Sequence, residues 1–303
     1  MTPKKPEEAY VAGVRLTNPE RVLYPEQGLT KRQLALYYEQ IAVSILPHVV
    51  ERPLSLVRCP SGRQKFCFYQ RNFSETLPDE VHSIQLKEKD EQEATYILIR
   101  DLAGLIALVQ VGVLEIHPWG SRSDNLERPD RLTFDLDPDP DVPWQDVVRA
   151  AQQVGQRLIE LGLQSFVKTS GSKGLHVVVP LVRRSTWDEA SEFAQALAED
   201  IVRREPERYV AKASKAARKG KIFVDYLRNT RSSTSVAAYS SRARPGAPVS
   251  APLHWEELDS LPNATVYTVQ NLSQRLDNLS KDPWAGFFEL RQSVTRKMWQ
   301  ALE

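Results

Sequence analysis

Between Leu132 and Asp137 apolar and polar residues alternate without a break, with Leu132, Phe134 and Leu136 set against Thr133, Asp135 and Asp137. Strict alternation specifies a β-strand with one face in a core and the other open. It also puts Asp135 and Asp137 on the same face. Two neighbouring carboxylates repel, and a buried pair without compensation keeps one member protonated. A pair on an open sheet face beside basic residues is better explained by a divalent metal. Taken alone, the pair is equally compatible with a solvated strand end, since Pro138-Asp139-Pro140 follows as a turn. Asp139 and Asp141 are expected to shape that turn and cap the next helix.

Two downstream segments extend the pattern. Ser170-Gly171-Ser172-Lys173-Gly174-Leu175-His176 joins the apolar runs Phe166–Lys168 and Val177–Leu181. Two glycines among Ser and Lys let backbone N–H groups approach an anion, with Lys173 adding charge and His176 a further donor. This is no Walker A loop, because Gly-x4-Gly-Lys-Ser/Thr is missing. A third apolar strand, Ile222–Leu227, carries Asp225 and runs into Arg228. Two aspartates on one strand, an anion-cradling turn and a later strand aspartate form the inventory of a two-metal nucleotidyl transferase.

In this order and spacing, the three segments resemble the motifs of the archaeo-eukaryotic primase superfamily. More narrowly, the chain is similar to the polymerase domain of bacterial DNA ligase D, from Leu16-Thr17-Asn18-Pro19 to Pro283-Trp284. The resemblance implies an α+β fold, with an RRM-like antiparallel catalytic sheet, covering helices and a smaller N-terminal α/β lobe. It implies one primase-polymerase domain over 1–303, with lobes at 10–112 and 113–303. Asp135, Asp137 and Asp225 would be catalytic and hold two manganese or magnesium ions. His117, Ser170, Ser172, Lys173, His176, Arg218, Arg228 and Arg242 would bind the nucleotide. Asn18, Arg21 and Lys31 match a recognition segment for a DNA 5′-phosphate, with Arg21 where the family commonly has Lys. Lys31 also lies in a first helical turn, where exposed N–H groups favour an anion. Phe68 and Tyr69 match an aromatic pair that stacks on template bases, with Arg58 and Arg71 on the backbone nearby. Adjacent strand residues face opposite sides, so one of the pair is open to a core role.

Bland readings stand beside several of these. His117 also suits a core histidine satisfied by a carbonyl, and Arg218 lies in a basic run that by default is a solvated face. That run, Lys212, Lys215, Arg218, Lys219 and Lys221, holds no acid, whereas acids gather between Glu75 and Glu93. Overall charge is only +1, from 40 basic and 39 acidic residues, so no global field announces a polyanion partner. At 303 residues the chain can bury a large core. Cys59 and Cys67 are too few and too close to suggest a disulfide framework, and no zinc spacing occurs. With no apolar h-region or membrane-length run, a cytoplasmic protein is expected, and the resemblance implies a bacterial, nucleoid-associated one.

Along the chain, Met1–Ala9 reads as a frayed tail and Leu77–Thr95 as a long surface loop. Thr30 and Gln33 suggest a capping box before a helix placing Leu34, Tyr37, Tyr38, Ile41 and Ile45 on one face. Strands are expected at Leu54–Arg58, Cys67–Gln70, Tyr96–Arg100, Val113–His117 and Val236–Ser240. Helices are expected after Asp101, from Pro143 to Gly162, and over Trp187–Arg203.

The expected activity is template-directed nucleotide addition at DNA breaks and gaps in non-homologous end joining. Partners are gapped, overhanging or 5′-phosphorylated DNA and NTP or dNTP. Ku and ligase or nuclease modules, in this chain or another, complete the set, with no membrane involved. A preference for ribonucleotides comes from the resemblance. The rivals are a two-metal nuclease or phosphodiesterase and a non-catalytic DNA-end-binding module. The Ser170–His176 turn argues against a nuclease, which has no triphosphate to hold.

Overall fold

The computed structural model describes residues 9–87 and 92–303. The tail expected before Ala9 and positions 88–91 of the expected loop lie outside the described residues. The chain divides into two compact units, and it passes between them repeatedly. The first comprises Met1–Pro118, Val236–Ser250 and Tyr267–Ser280; the second comprises Trp119–Ser235, Ala251–Val266 and Lys281–Glu303.

In the first unit, β1 (Ala9–Val11) pairs with β2 (Val14–Leu16), and β3 (Val22–Tyr24) pairs with β4 (Leu29–Thr30). Helix α1 (Lys31–Gln40) begins at the expected capping box: Thr30 Oγ1 accepts from Gln33 N, and Gln33 Oε1 accepts from Thr30 N. The expected single helical face breaks at Ile41, where α2 (Ala42–Val49) starts anew. Both pieces still bury its members, Leu34, Tyr37, Tyr38, Ile41 and Ile45. A five-stranded sheet follows, built from β5 (Leu54–Arg58), β6 (Phe68–Gln70), β7 (His82–Lys87), β8 (Glu93–Leu98) and β9 (Val113–Pro118), with α3 (Leu102–Gln110) capped by Asp101.

Four expectations give way here. The presumed surface loop contains the hairpin β7–β8, paired from His82↔Leu98 to Lys87↔Glu93. Ile84 and Leu86 alternate with Ser83, Gln85 and Lys87, a period-two signal masked by the surrounding charge. β9 pairs with β5, so residues 113–118 lie in the first unit and not with the acidic strand. Residues 236–240 form no strand; the chain turns at Ala238 and Tyr239, with Tyr239 at φ 69°. Cys59 and Cys67 are joined as a disulfide, contrary to the reading from number and spacing; it joins the end of β5 to the start of β6.

The second unit is a six-stranded sheet in the order β13-β14-β10-β12-β11-β15. Its strands are β10 (Arg131–Pro138), β11 (Phe166–Thr169), β12 (Leu175–Pro180), β13 (Tyr209–Val210), β14 (Ile222–Asp225) and β15 (Pro252–Leu253). All neighbours are antiparallel except β13 and β14. Helix α4 (Trp144–Glu160) lays Val147, Ala151, Val154 and Leu158 onto β10 and β12. Helix α5 (Trp187–Arg204), boxed by Thr186 and Glu189, buries Ala190, Phe193, Leu197 and Ile201. Each such Val, Leu, Ile or Phe contributes about 1.5–3 kcal/mol by leaving water. The apolar face of β10 is held by these helices, and its opposite face carries the acids. This mixed α+β architecture is the expected one.

Candidate active site

The acidic group in the second unit is assembled by strand register. Asp135 on β10 lies opposite Asp225 on β14 and opposite His176 on β12. Directly opposed residues share a face, with Cβ atoms about 4.5–5.5 Å apart. Asp137, two residues on, joins that face. The edge of β10 beyond the β14 pairing is closed by a side chain. Asn229 Oδ1 accepts from Thr133 N at 2.7 Å, and its Nδ2 donates to Thr133 O at 2.9 Å.

Basic residues surround the acids. Lys173 Nζ is 3.0 Å from Asp137 Oδ1, and Arg218 Nη1 is 3.0 Å from Asp137 Oδ2. Arg228 Nε is 3.2 Å from Asp225 Oδ2 and 3.9 Å from Asp135 Oδ2. His176 Nε2 is 3.4 Å from Asp135 Oδ1. These cations do not balance the site. Burial pushes the Asp135 carboxyl up to about 6; Arg228 pulls it down, while Asp225 and Asp137 add to the rise. Burial likewise raises Asp225 against the pull of Arg228.

The glycine turn, expected to offer its backbone N–H groups to an anion, turns two of them onto its own Ser170. Ser170 Oγ accepts from Ser172 N at 3.2 Å and Gly174 N at 3.1 Å, so its hydroxyl shapes the turn from within. A Cβ at Gly174 would meet Leu136 O at 2.1 Å, which only glycine avoids. The turn therefore lies against β10 and delivers Lys173, whose Nζ also donates to Pro138 O at 2.7 Å. Arg218 stacks on Phe223, its Cζ 3.9 Å from the ring centroid, and its Nε is buried without a hydrogen-bond partner. A guanidinium with a buried unused donor suits an anion.

Sequence reasoning missed Lys168. It sits in the apolar run of β11, is 2 % exposed, and its Nζ is 3.0 Å from His176 Nδ1. The signal was a lysine directly across β12 from His176.

Whether the acids suit a metal can be judged from their chemistry. Three carboxylates on one face, with two raised by crowding and burial, are an oxygen-donor set short of positive charge, which suits magnesium or manganese. Among the described residues, no three His, Cys, Asp or Glu side chains are grouped as ligands of one ion. Their oxygens are turned instead to Lys173, Arg218 and Arg228. The residues fit a metal in kind and in register, with cations now occupying the oxygens.

The remaining expected residues lie in the first unit. His117 Nε2 is 2.8 Å from Glu115 Oε2, which Arg242 Nε approaches to 3.0 Å. Arg58 is tied to Val111 O and Gln70 Oε1, and its Cζ lies 5.3 Å over the Phe68 ring. Phe68 stacks on Phe66 at 5.7 Å, and Tyr69 is 57 % exposed, so neither member of the expected pair is core. Phe66, at 77 % exposed, is a further aromatic in the same segment. Arg71 lies 5.9 Å over Tyr96.

Asn18 and Arg21 are exposed, with Arg21 Nη1 donating to Pro60 O at 2.8 Å. Lys31 differs from expectation, because its side chain is buried. Its Nζ donates to Thr17 O at 2.8 Å and Gln110 O at 2.9 Å, beneath the segment bearing Asn18. Burial, aided by Arg21, lowers it to about 8. The expected open N–H groups of α1 are also taken: Lys31 N bonds Arg21 O, Arg32 N bonds Pro19 O, and Gln33 N bonds Thr30 Oγ1.

Comparisons with known proteins agree on one family. The model described as LigD, primase-polymerase domain, matches residues 30–284. The multifunctional non-homologous end joining protein LigD of Pseudomonas aeruginosa is 44 % identical over 296 residues, covering 97 % of this chain and 35 % of that protein. Its namesake from Mycolicibacterium smegmatis is 34 % identical over 247 residues, covering 81 % and 32 %. The chain spans about a third of the length of these relatives. The polymerase domain of Mycobacterium tuberculosis ligase D, solved in complex with DNA, superposes with a TM-score of 0.85 at 30 % identity, covering 91 % of this chain and 98 % of that one. Among the described residues no helix is long and apolar enough to cross a membrane.

Proposed function

This chain belongs to the primase-polymerase domain family of LigD, nucleotidyltransferases of non-homologous end joining, and on that premise we propose that it fills gaps and extends ends at DNA double-strand breaks. The observation that carries this reading is the register of β10 with β14, which sets Asp135, Asp137 and Asp225 on one sheet face beside the Ser170–Gly174 turn.

Asp135, Asp137 and Asp225 would hold two divalent ions, manganese or magnesium. Bound there, such ions would supply Lewis acidity to lower the pKa of a primer 3′-hydroxyl and offset charge on the α-phosphate. The chain's own residues do the rest. Lys173, Arg218 and Arg228 exchange their carboxylate partners for the triphosphate, Ser170 and Ser172 keep the turn in shape, and His176 lends a donor. His117 and Arg242 also contact phosphate. No protein nucleophile is needed, because the attacking group is the primer's hydroxyl.

Asn18, Arg21 and Lys31 take the DNA 5′-phosphate, with Lys31 acting from beneath the segment that displays the other two. Phe68 and Tyr69 stack on template bases, each worth about 1–3 kcal/mol, and Arg58 and Arg71 meet the backbone. Ribonucleotides are preferred, and Ku with ligase or nuclease modules are the partners. A single assay tests the reading: nucleotide addition on a gapped duplex, comparing ribo- and deoxyribonucleotides in manganese and in magnesium. Growth of the primer supports polymerisation, whereas shortening supports the two-metal nuclease reading.

A further inference from the structure

Glu115, outside the expected ligand set, contacts two of its members, His117 and Arg242. It is 6 % exposed and shares a face of β9 with His117. Its Oε2 is 2.8 Å from His117 Nε2 and 3.0 Å from Arg242 Nε, while Oε1 accepts from Ala243 N at 2.9 Å. Burial pushes this carboxyl up; the bond from His117 and the charge of Arg242 outweigh it and hold the group down at about 2.

The backbone contact between β9 and the 240–241 segment does not depend on Glu115. Ile116 N donates to Ser240 Oγ at 3.0 Å, and Ser241 Oγ donates to Leu114 O at 2.7 Å. What the carboxylate adds is orientation of two side chains from distant parts of the sequence.

We propose that Glu115 is a positioning residue for phosphate recognition, holding the His117 imidazole and the Arg242 guanidinium side by side as one preformed clamp. The inference rests on the assignment of His117 and Arg242 to phosphate contact made above. Preorganised donors bind more tightly because their ordering cost is met before the ligand arrives.

The test uses ATP and manganese on a gapped duplex. Glu115→Gln should raise the KM for ATP by about tenfold or more, as loss of an orienting partner does elsewhere, with kcat within about threefold. Combined with His117→Ala or Arg242→Ala its effect should be less than additive, since one clamp is being dismantled. If the alanine variants raise KM and Glu115→Gln does not, the positioning role is overturned and the phosphate reading survives. If the alanine variants leave KM unchanged, the phosphate reading of these two residues fails. Glu115 is then judged on the nucleotide-free protein, by the imidazole 15N shifts of His117. An unchanged spectrum in Glu115→Gln overturns the tether itself. Glu115→Asp serves where Gln does not fold, and should move the same readouts in the same direction.

Discussion

Glu115 is buried and Asp135 half-buried, both carboxylates among arginine and histidine, yet desolvation ends in opposite results. Glu115, though burial pushes it up, is held at about 2 because the His117 imidazole, the Arg242 guanidinium and a backbone N–H converge on it. Asp135 is lifted to about 6 by burial, which the shared Arg228 at 3.9 Å only partly offsets, and Asp225 and Asp137 add to the rise. The first is a finished network. The second is charge-deficient, and added positive charge is what would complete it. Burial alone therefore says little about a carboxylate's role; the count of acids against donors decides it.

The comparison breaks most severely at Asp137. Asp137→Ala should lower single-turnover nucleotide addition by about 10³-fold or more while leaving affinity for 5′-phosphorylated gapped DNA unchanged. Retained extension would remove the acids from the chemistry. Next comes Gly174→Ala, whose methyl group would press on Leu136 O. It should cost about 1–3 kcal/mol, read as a lower denaturant midpoint.

A subtler pair sharpens the contrast by sign. In EDTA at pH 7.5, Asp135→Asn should raise the melting temperature and Glu115→Gln should lower it, each by an effect on the order of 1–3 kcal/mol. The signs follow from linkage. Asp135, raised from 3.8, favours the fold below that value and loses this contribution as pH rises through about 6. Glu115, lowered from 4.5, favours the fold above that value and loses it as pH falls through about 2. A melting series from pH 8 to pH 5 should shrink the Asp135→Asn gain and leave the Glu115→Gln loss intact. Smallest is Lys31→Ala, which should cut the preference for a 5′-phosphate about tenfold. An unchanged affinity ratio for phosphorylated and unphosphorylated gaps would remove Lys31 from that role.

The six-stranded sheet was the most legible part of the chain, and the reason is physical. β10 has one dry and one acidic face, so its composition alternates, and register then groups Asp135, Asp137, Asp225 and His176 together. The caps at Thr30 and Asp101 were equally local and equally readable. What escaped depended on distant pairing or on ambiguous composition. The β7–β8 hairpin hid its alternation beneath lysines and glutamates. β9 looked like a neighbour of β10 because it precedes it, but its hydrogen bonds go to β5. Tyr239 turns at a positive φ that a β-forming composition does not announce. Lys168 and Glu115 became informative only once their partners across a strand or along the chain were known.

The interleaved path of the chain carries a practical consequence for anyone wishing to dissect it. A gene fragment stopping near Pro118 would omit Tyr239 and Ser241, whose backbone oxygen and side-chain hydroxyl meet the phenols of Tyr37 and Tyr38 on α1 at 2.8 and 2.9 Å. It would thus strip the amino-terminal half of its own closing piece. Conversely, a fragment starting at Trp119 would carry residues 236–250 and 267–280 with nothing of their unit to fold upon. Minimal versions of either half are better made by circular permutation or by splicing the late segments onto the early ones than by simple truncation.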